Sequence, residues 1–403
     1  MRLFAAFRCR SFAALWIAQT LSRLGDRIYF IGLAWYVVAT TGSAAAMAAV
    51  LLANLIPTLG LLVVGGVAVD RWSRARVMLA SDVARGLLVG VAAVFAAAGL
   101  LGLPLLLALS AAFGVVDAFF DPAYTAIVPQ LVELELRPSA NSLTELSRRL
   151  ARVAGPAIGA AIVALAGVPV AFALDSASFG ASAVGMLAIS RWSSTTPERE
   201  ASGSPLLDVR EGLSAVLAVP WLWITILVAA VTNISLAGPL EAVMPLLVTN
   251  HFGGGIGLLG ALDALAGVGS VGAAIWIGRQ TRLRHRGLLV YLPWIGCGLA
   301  VAALGLPVPI VAAGILMAGV GASLTTLELA WMHTLQELIP EGLLGRVSSI
   351  DLLGSAALVP IGYVAAGAMA DAVGPALVFG VGGVATAAIL VLALLHPAIR
   401  RLD

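Results

Sequence analysis

The chain of 403 residues contains no lysine; all 23 of its basic residues are arginine. That excludes a phosphate-binding loop built on lysine and a lysine Schiff base, and with the first goes ATP-driven work by this polypeptide alone. Cysteine is nearly missing. Cys9 lies in a charged N-terminal arm and Cys297 in an apolar segment, which gives neither a disulfide framework nor a thiolate metal site. The four histidines (His251, His285, His333 and His396) are scattered over different loops and helix ends, so interfacial or solvated histidines are expected, with a metal cluster assembled in space as the alternative; no metal and no cofactor is expected. Charge itself is scarce, at 11% of residues against about 25% in an ordinary soluble domain. A composition that is 61% hydrophobic has more apolar surface than a soluble fold can bury. The net charge of +2 points to no nucleic-acid partner. The partner implied is a lipid bilayer.

What the chain has in abundance is long apolar segments. They fall near 12–39, 44–69, 77–99, 104–128, 141–165 and 168–190, then near 220–248, 255–278, 288–305, 308–333, 346–370 and 374–396. A crossing helix needs about 20 such residues. The expectation is an all-α integral membrane protein with twelve transmembrane helices in two pseudo-symmetric six-helix bundles. The predicted domains are an N-terminal bundle over 1–190, a linker over 191–219 and a C-terminal bundle over 220–403. The linker is rich in Ser, Thr, Pro and Gly, with an amphipathic piece near Leu206–Leu217. Arg2, Arg8 and Arg10 precede the first apolar run, but no small-residue cleavage site follows, so the run reads as an uncleaved first span.

The arginines are distributed asymmetrically. With an even number of spans, twenty of them lie in the two termini and the alternate connections on one side, none lies in the six opposite loops, and Arg23, Arg27 and Arg85 fall within spans. By the positive-inside rule both termini are expected in the cytoplasm. The two halves also echo each other. Gly65…Asp70-Arg71…Arg76 follows the second span and Gly272…Gly278-Arg279…Arg286 follows the eighth, while Gly155-Pro156-Ala157-Ile158-Gly159 in span five has a counterpart in Val359-Pro360-Ile361-Gly362 in span eleven. Such repetition at half the chain length is a mark of transporters built from repeated bundles.

The turn after span two, with Gly66, Asp70, Arg71, Arg74 and Arg76 in place, resembles the signature of the major facilitator superfamily of transporters. Gly155, Pro156 and Gly159 resemble the span-five motif of its antiporter branches. Gly25-Asp26, Phe120-Asp121-Pro122-Ala123 and Phe172-x-x-Asp175-x-x-Ser178-Phe179 resemble the macrolide and siderophore exporter branch. The resemblance covers essentially the whole chain. It implies a cytoplasmic latch in which Asp70 caps the helix start near Arg346–Asp351 and Arg74 meets Asp121. A carboxylate suits a helix N-terminus, and an Arg–carboxylate pair is charge-assisted. The bland alternative is a turn that merely obeys the positive-inside rule. The chain departs from many drug antiporters in having no arginine in the middle of span four, and Arg23 and Arg27 in span one are the expected substitutes.

Ionisable residues inside a span are functional candidates by default. Asp26 lies halfway along span one between Arg23 and Arg27, which suits an ion-pair or substrate-contact role better than that of a lone proton carrier. Asp117 in span four has no cation close in sequence, and Glu241 in span seven lies between Pro239 and Pro245, where broken helix geometry can open a polar pocket. Asp175 and Asp263 are placed nearer the outer surface and Glu328 nearer the inner one, each with a structural pair or an interfacial acid as the alternative. For Gly155, Pro156 and Gly159 the alternative to a functional kink is ordinary close packing. Trp35 and Trp294, deeper in their spans, are expected to pack in the core or against lipid, with lining a cavity as the alternative.

These readings converge on a secondary exporter in a bacterial inner membrane, working as a monomer by alternating access and driven by a proton gradient rather than a cofactor. Its expected cargo is an amphipathic small molecule of the multidrug or macrolide type; the alternative is a dedicated endogenous cargo such as a siderophore or a lipid. An embedded enzyme should show a catalytic dyad or a His-rich motif, and a receptor a soluble sensory domain; the sequence has neither.

Overall fold

The computed structural model describes residues 4–192, 205–280, 285–400 and 402, and among them there is no strand. Six long helices come first: α1 (Arg10–Thr41), α2 (Ala44–Arg71), α3 (Arg74–Ala97), α4 (Leu103–Leu131), α5 (Arg137–Ala166) and α6 (Val168–Trp192). The amphipathic piece of the linker forms α7 (Pro205–Ala218), and the rest of the linker, 193–204, lies outside the described residues. The second set begins with α8 (Pro220–Ala237), a π-helical turn (Gly238–Val243) and α9 (Met244–Asn250), which together make span seven. It continues with α10 (Ile256–Gly278), α11 (Arg286–Leu304), α12 (Ile310–Leu338), α13 (Glu341–Ala356), α14 (Val359–Val373), α15 (Pro375–Leu394) and the short α16 (Pro397–Arg400). Eleven of the resulting segments are long and apolar enough to cross a membrane. The 32-residue α1 is as long, and the charges of Arg23, Asp26 and Arg27 set it apart.

Two interruptions have visible causes. Pro239 cannot donate to the carbonyl one turn earlier, and the helix widens to a π turn there. Pro360 pushes the preceding residues out of regular helix, and span eleven breaks into α13 and α14 around Ala357–Leu358.

The chain divides into two compact units, 1–41 with 49–199 and 42–48 with 200–403. Each is built by the same pairings. In the first, α1 packs on α5 and α3 on α6; in the second, α8 packs on α14 and α11 on α15. Glycines make the closest crossings. A Cβ at Gly65 would overlap the Ala118 carbonyl and one at Gly114 the Asn54 carbonyl, joining α2 to α4. Gly269 on Ala318 and Gly321 on Ala266 join α10 to α12 in the same reciprocal way. At the arginine-rich end of the first unit, Phe12, Leu15, Met78, Leu143, Met186 and Ile189 form a buried apolar core. In the second, α7 docks on α13: Val216 joins a core with Val347 and Leu335, and Arg346 pairs with Glu211 at 2.9 Å. Residues 42–48 go with the second unit because Asp371 of α14 accepts hydrogen bonds from Ser43 Oγ and from the Ala44 and Ala45 amides, the last two at 2.7 and 3.2 Å.

Candidate functional site

The charged interior of the first unit centres on a residue that sequence reasoning left without a role. Arg85, on α3, is 4% exposed and has its guanidinium sandwiched by rings, 3.7 Å from the Phe120 centroid and 4.6 Å from that of Phe179. Its Nη2 donates to Asp82 at 2.6 Å and its Nη1 lies 3.5 Å from Asp117 of α4. Asp82 is fully buried, and its other oxygen accepts from Ser182 Oγ at 2.7 Å, which in turn accepts from Gln19 Nε2 at 2.8 Å. Asn54 of α2 hydrogen-bonds the Asp117 carboxylate, whose side chain stays 25% exposed. The cation paired with the span-four acid comes from span three, and Arg23 of span one reaches the same helix by stacking on Tyr124. The i,i+3 spacing of Asp82 and Arg85 inside an apolar run was the available signal, since two opposite charges one turn apart satisfy each other in lipid.

Asp26 is half-buried on α1 and lies in the field of Arg85, Arg27 and Arg23, so it joins the same cluster. Arg23 also stacks on Tyr124, 4.8 Å from the ring centroid. Asp175 belongs to it too: it is fully buried on α6, accepts from Ser178 Oγ at 3.2 Å and interacts with Asp26 and Arg85. Its approach to α1 depends on Gly25, where a Cβ would overlap the Asp175 carboxylate and the Ser178 hydroxyl. Gly155 and Gly159 act likewise. A Cβ at Gly155 would overlap that of Arg27, and one at Gly159 would crowd Ile28 and Ile31. The motif Gly155-Pro156-x-x-Gly159 thus holds α5 against the charged stretch of α1.

The turn between α2 and α3 departs from the expected latch. Arg74 Nη1 donates to the Ala126 carbonyl at 3.2 Å and makes no ion pair with Asp121, which is exposed. An arginine near the carbonyl end of α4 is held by the helix dipole as well as by the oxygen, and a solvated carboxylate competes poorly with that. A Cβ at Gly66 would meet open space, with nothing within 4 Å; Gly65 makes the close contact instead. Arg71 and Arg76 are exposed, and the Asp70 side chain lies outside the described residues.

The second unit holds a cavity of about 290 Å³ lined by Glu241, Glu328, Asp351, Trp294, Trp331 and Asn233, among others. Two of its acids accept from neutral donors. Trp331 Nε1 donates to Asp351 at 2.8 Å, Ser355 Oγ adds 3.3 Å, and the Tyr363 hydroxyl donates to Glu241. Asn233 donates to the Ser355 carbonyl at 2.8 Å, next to the break between α13 and α14. Glu241, in the π turn, lines this cavity, and so does Trp294, which is 4% exposed. Among the described residues no group of His, Cys, Asp and Glu is arranged to hold a metal ion.

Two repeated bundles of apolar helices, one with a buried charge network and one with an acid-and-indole cavity, define a multi-pass membrane transporter. The family model described as transmembrane secretion effector matches residues 2–402, and the chain belongs to that family of the major facilitator superfamily. It is 28% identical over 399 residues to the multidrug efflux pump Tap of Mycobacterium tuberculosis, covering 96% of this chain and 93% of that protein. It is 28% identical over 315 residues to the enterobactin exporter EntS of Escherichia coli, covering 75% of this chain and 73% of that one. Among solved structures, a bacterial homologue of the iron transporter ferroportin superposes with a TM-score of 0.73 at 16% identity, over 96% of this chain and 99% of that one. The nucleoside transporter NupG gives 0.70 at 12% identity, over 98% of each. At those identities the structures speak to the fold alone.

Proposed function

We propose that the protein is a proton-coupled secondary exporter of amphipathic small molecules, working as a monomer by alternating access in a bacterial inner membrane with both termini in the cytoplasm. The observation that carries this reading is the Asp82–Arg85–Asp117 network. Arg85 is shared by two carboxylates, one fully buried and one partly exposed. A proton arriving at Asp117 neutralises the accessible partner and leaves Arg85 to Asp82, so protonation changes the balance of charge within the bundle without emptying it. A cargo that competes with that proton for the same cluster is then moved against its gradient. The acid-and-indole cavity adds an amphipathic surface, with ring faces for apolar groups and carboxylates for polar ones.

The test is transport in proteoliposomes with and without an imposed pH gradient, using a panel of lipophilic cations, macrolides and anionic siderophores. Gradient-dependent movement is expected for the native chain, with a loss of tenfold or more in Asp117→Asn and retained cargo binding. Transport that ignores the gradient would overturn the coupling. The likeness to an enterobactin exporter favours a second reading, a dedicated endogenous cargo. Comparing drug susceptibility with secreted products in a deletion strain separates the two.

A further inference from the structure

A second cavity, of about 560 Å³, lies in the first unit toward the arginine-rich end, and Asp82, Arg85 and Asp117 are not among its lining residues. Its floor and walls are apolar, with Val77 and Ala84 on α3 and Val115 and Phe119 on α4; Arg71, Trp72 and Arg76 stand at its mouth. Arg71 and Arg76 are exposed, and neither side chain takes part in an ion pair or hydrogen bond with the described residues. Trp72 is 61% exposed, which is costly for an indole in water and ordinary at a membrane–water boundary.

We propose that this groove between α3 and α4 holds an anionic phospholipid of the leaflet on the arginine-rich side, its phosphate between Arg71 and Arg76 and an acyl chain against Val77, Val115 and Phe119. The charges supply the complementarity: two exposed guanidiniums at one end of an apolar slot match a ligand with a phosphate at one end and a hydrocarbon tail at the other. A free phosphate would use the arginines and leave the slot unfilled. The proposal rests on the chain's place in a bilayer and not on what it exports.

The experiment is native mass spectrometry of the full-length protein in detergent, with phosphatidylglycerol and phosphatidylethanolamine of matched chains added in equal amounts. The native chain is expected to retain phosphatidylglycerol over phosphatidylethanolamine by about tenfold, since two arginines near an anionic headgroup each contribute severalfold in binding. R71Q/R76Q is expected to lose the preference and R71K/R76K to keep most of it, which separates loss of charge from misfolding. Ala84→Phe, which fills the slot, is expected to shed both lipids. Deacylated glycerophosphoglycerol is expected not to displace the bound lipid. An unchanged preference in R71Q/R76Q, full retention in Ala84→Phe, or displacement by the deacylated headgroup would each overturn the site.

Discussion

The two units share their packing and differ in how they handle charge. In the first, carboxylates are neutralised by a cation: Arg85 faces Asp82 and Asp117 and is capped by two phenylalanine rings. In the second, Asp351 and Glu241 are held by an indole N–H, a serine and a tyrosine, all of them neutral. The reciprocal glycine contacts, Gly65 and Gly114 in one unit and Gly269 and Gly321 in the other, show a common scaffold under both arrangements. A repeated backbone thus keeps its helix crossings while its polar contents diverge. Crossings tolerate no side chain, whereas an acid can be satisfied either by an opposite charge or by a hydrogen-bond donor.

The comparison can be broken most sharply at Arg85. Arg85→Met leaves Asp82 buried without its cation, and stability is expected to fall by about 3–5 kcal/mol, read as a lower unfolding midpoint in detergent. Arg85→Lys, which keeps the charge, should recover part of it. A loss no larger than that of a surface substitution would mean that the ion pairs do not organise the first unit.

Next in size come the shared crossings. Gly65→Ala and Gly269→Ala should each cost about 1–3 kcal/mol through overpacking, and to a similar extent, because both place a Cβ on a helix carbonyl. A large cost in one unit and none in the other would remove the common scaffold.

Smaller again, Trp331→Phe keeps an aromatic face in the cavity and removes the donor to Asp351. The expected loss is about 1–2 kcal/mol, with weaker binding of the cargo measured by titration. The smallest effect belongs to the exposed pair between α7 and α13. Glu211→Gln should cost well under about 1 kcal/mol and respond to salt, since Arg346 and Glu211 are 37% and 57% exposed.

Much of the fold was legible because lipid imposes simple demands. Lengths of apolar sequence announce the spans. The breaks in spans seven and eleven follow from Pro239 and Pro360, yet only Glu241 was anticipated as their beneficiary; the joining of Asp351, Trp331 and Asn233 across three helices has no local sign. Of the first unit's charges, Asp26, Asp117 and Asp175 stood out as candidates, while Arg85 was counted within a span but given no role and Asp82 was passed over in the run 77–99. The reach of Arg85 to Asp117 had no sign, because pairing across helices is a property of rotation about each helix axis, and hydropathy carries no information about rotation. The expected bond between Arg74 and Asp121 failed for a related reason. The family resemblance puts Arg74 near the end of α4, but not whether it finds a carboxylate or a backbone carbonyl.

By itself, then, the sequence determined a polytopic helical membrane protein with repeated halves and an arginine-bearing side, since those features depend on the cost of placing polar groups in lipid and each residue declares that cost alone. Only the tertiary structure decided that Arg85 is the buried cation of the first unit, that Gly25 and Gly155 admit α6 and α5 to the charged stretch of α1, and that Asp351 and Glu241 in the second unit accept from indole and hydroxyl donors. Those outcomes depend on distances between helices far apart in the chain, set by where a missing Cβ allows two backbones to meet.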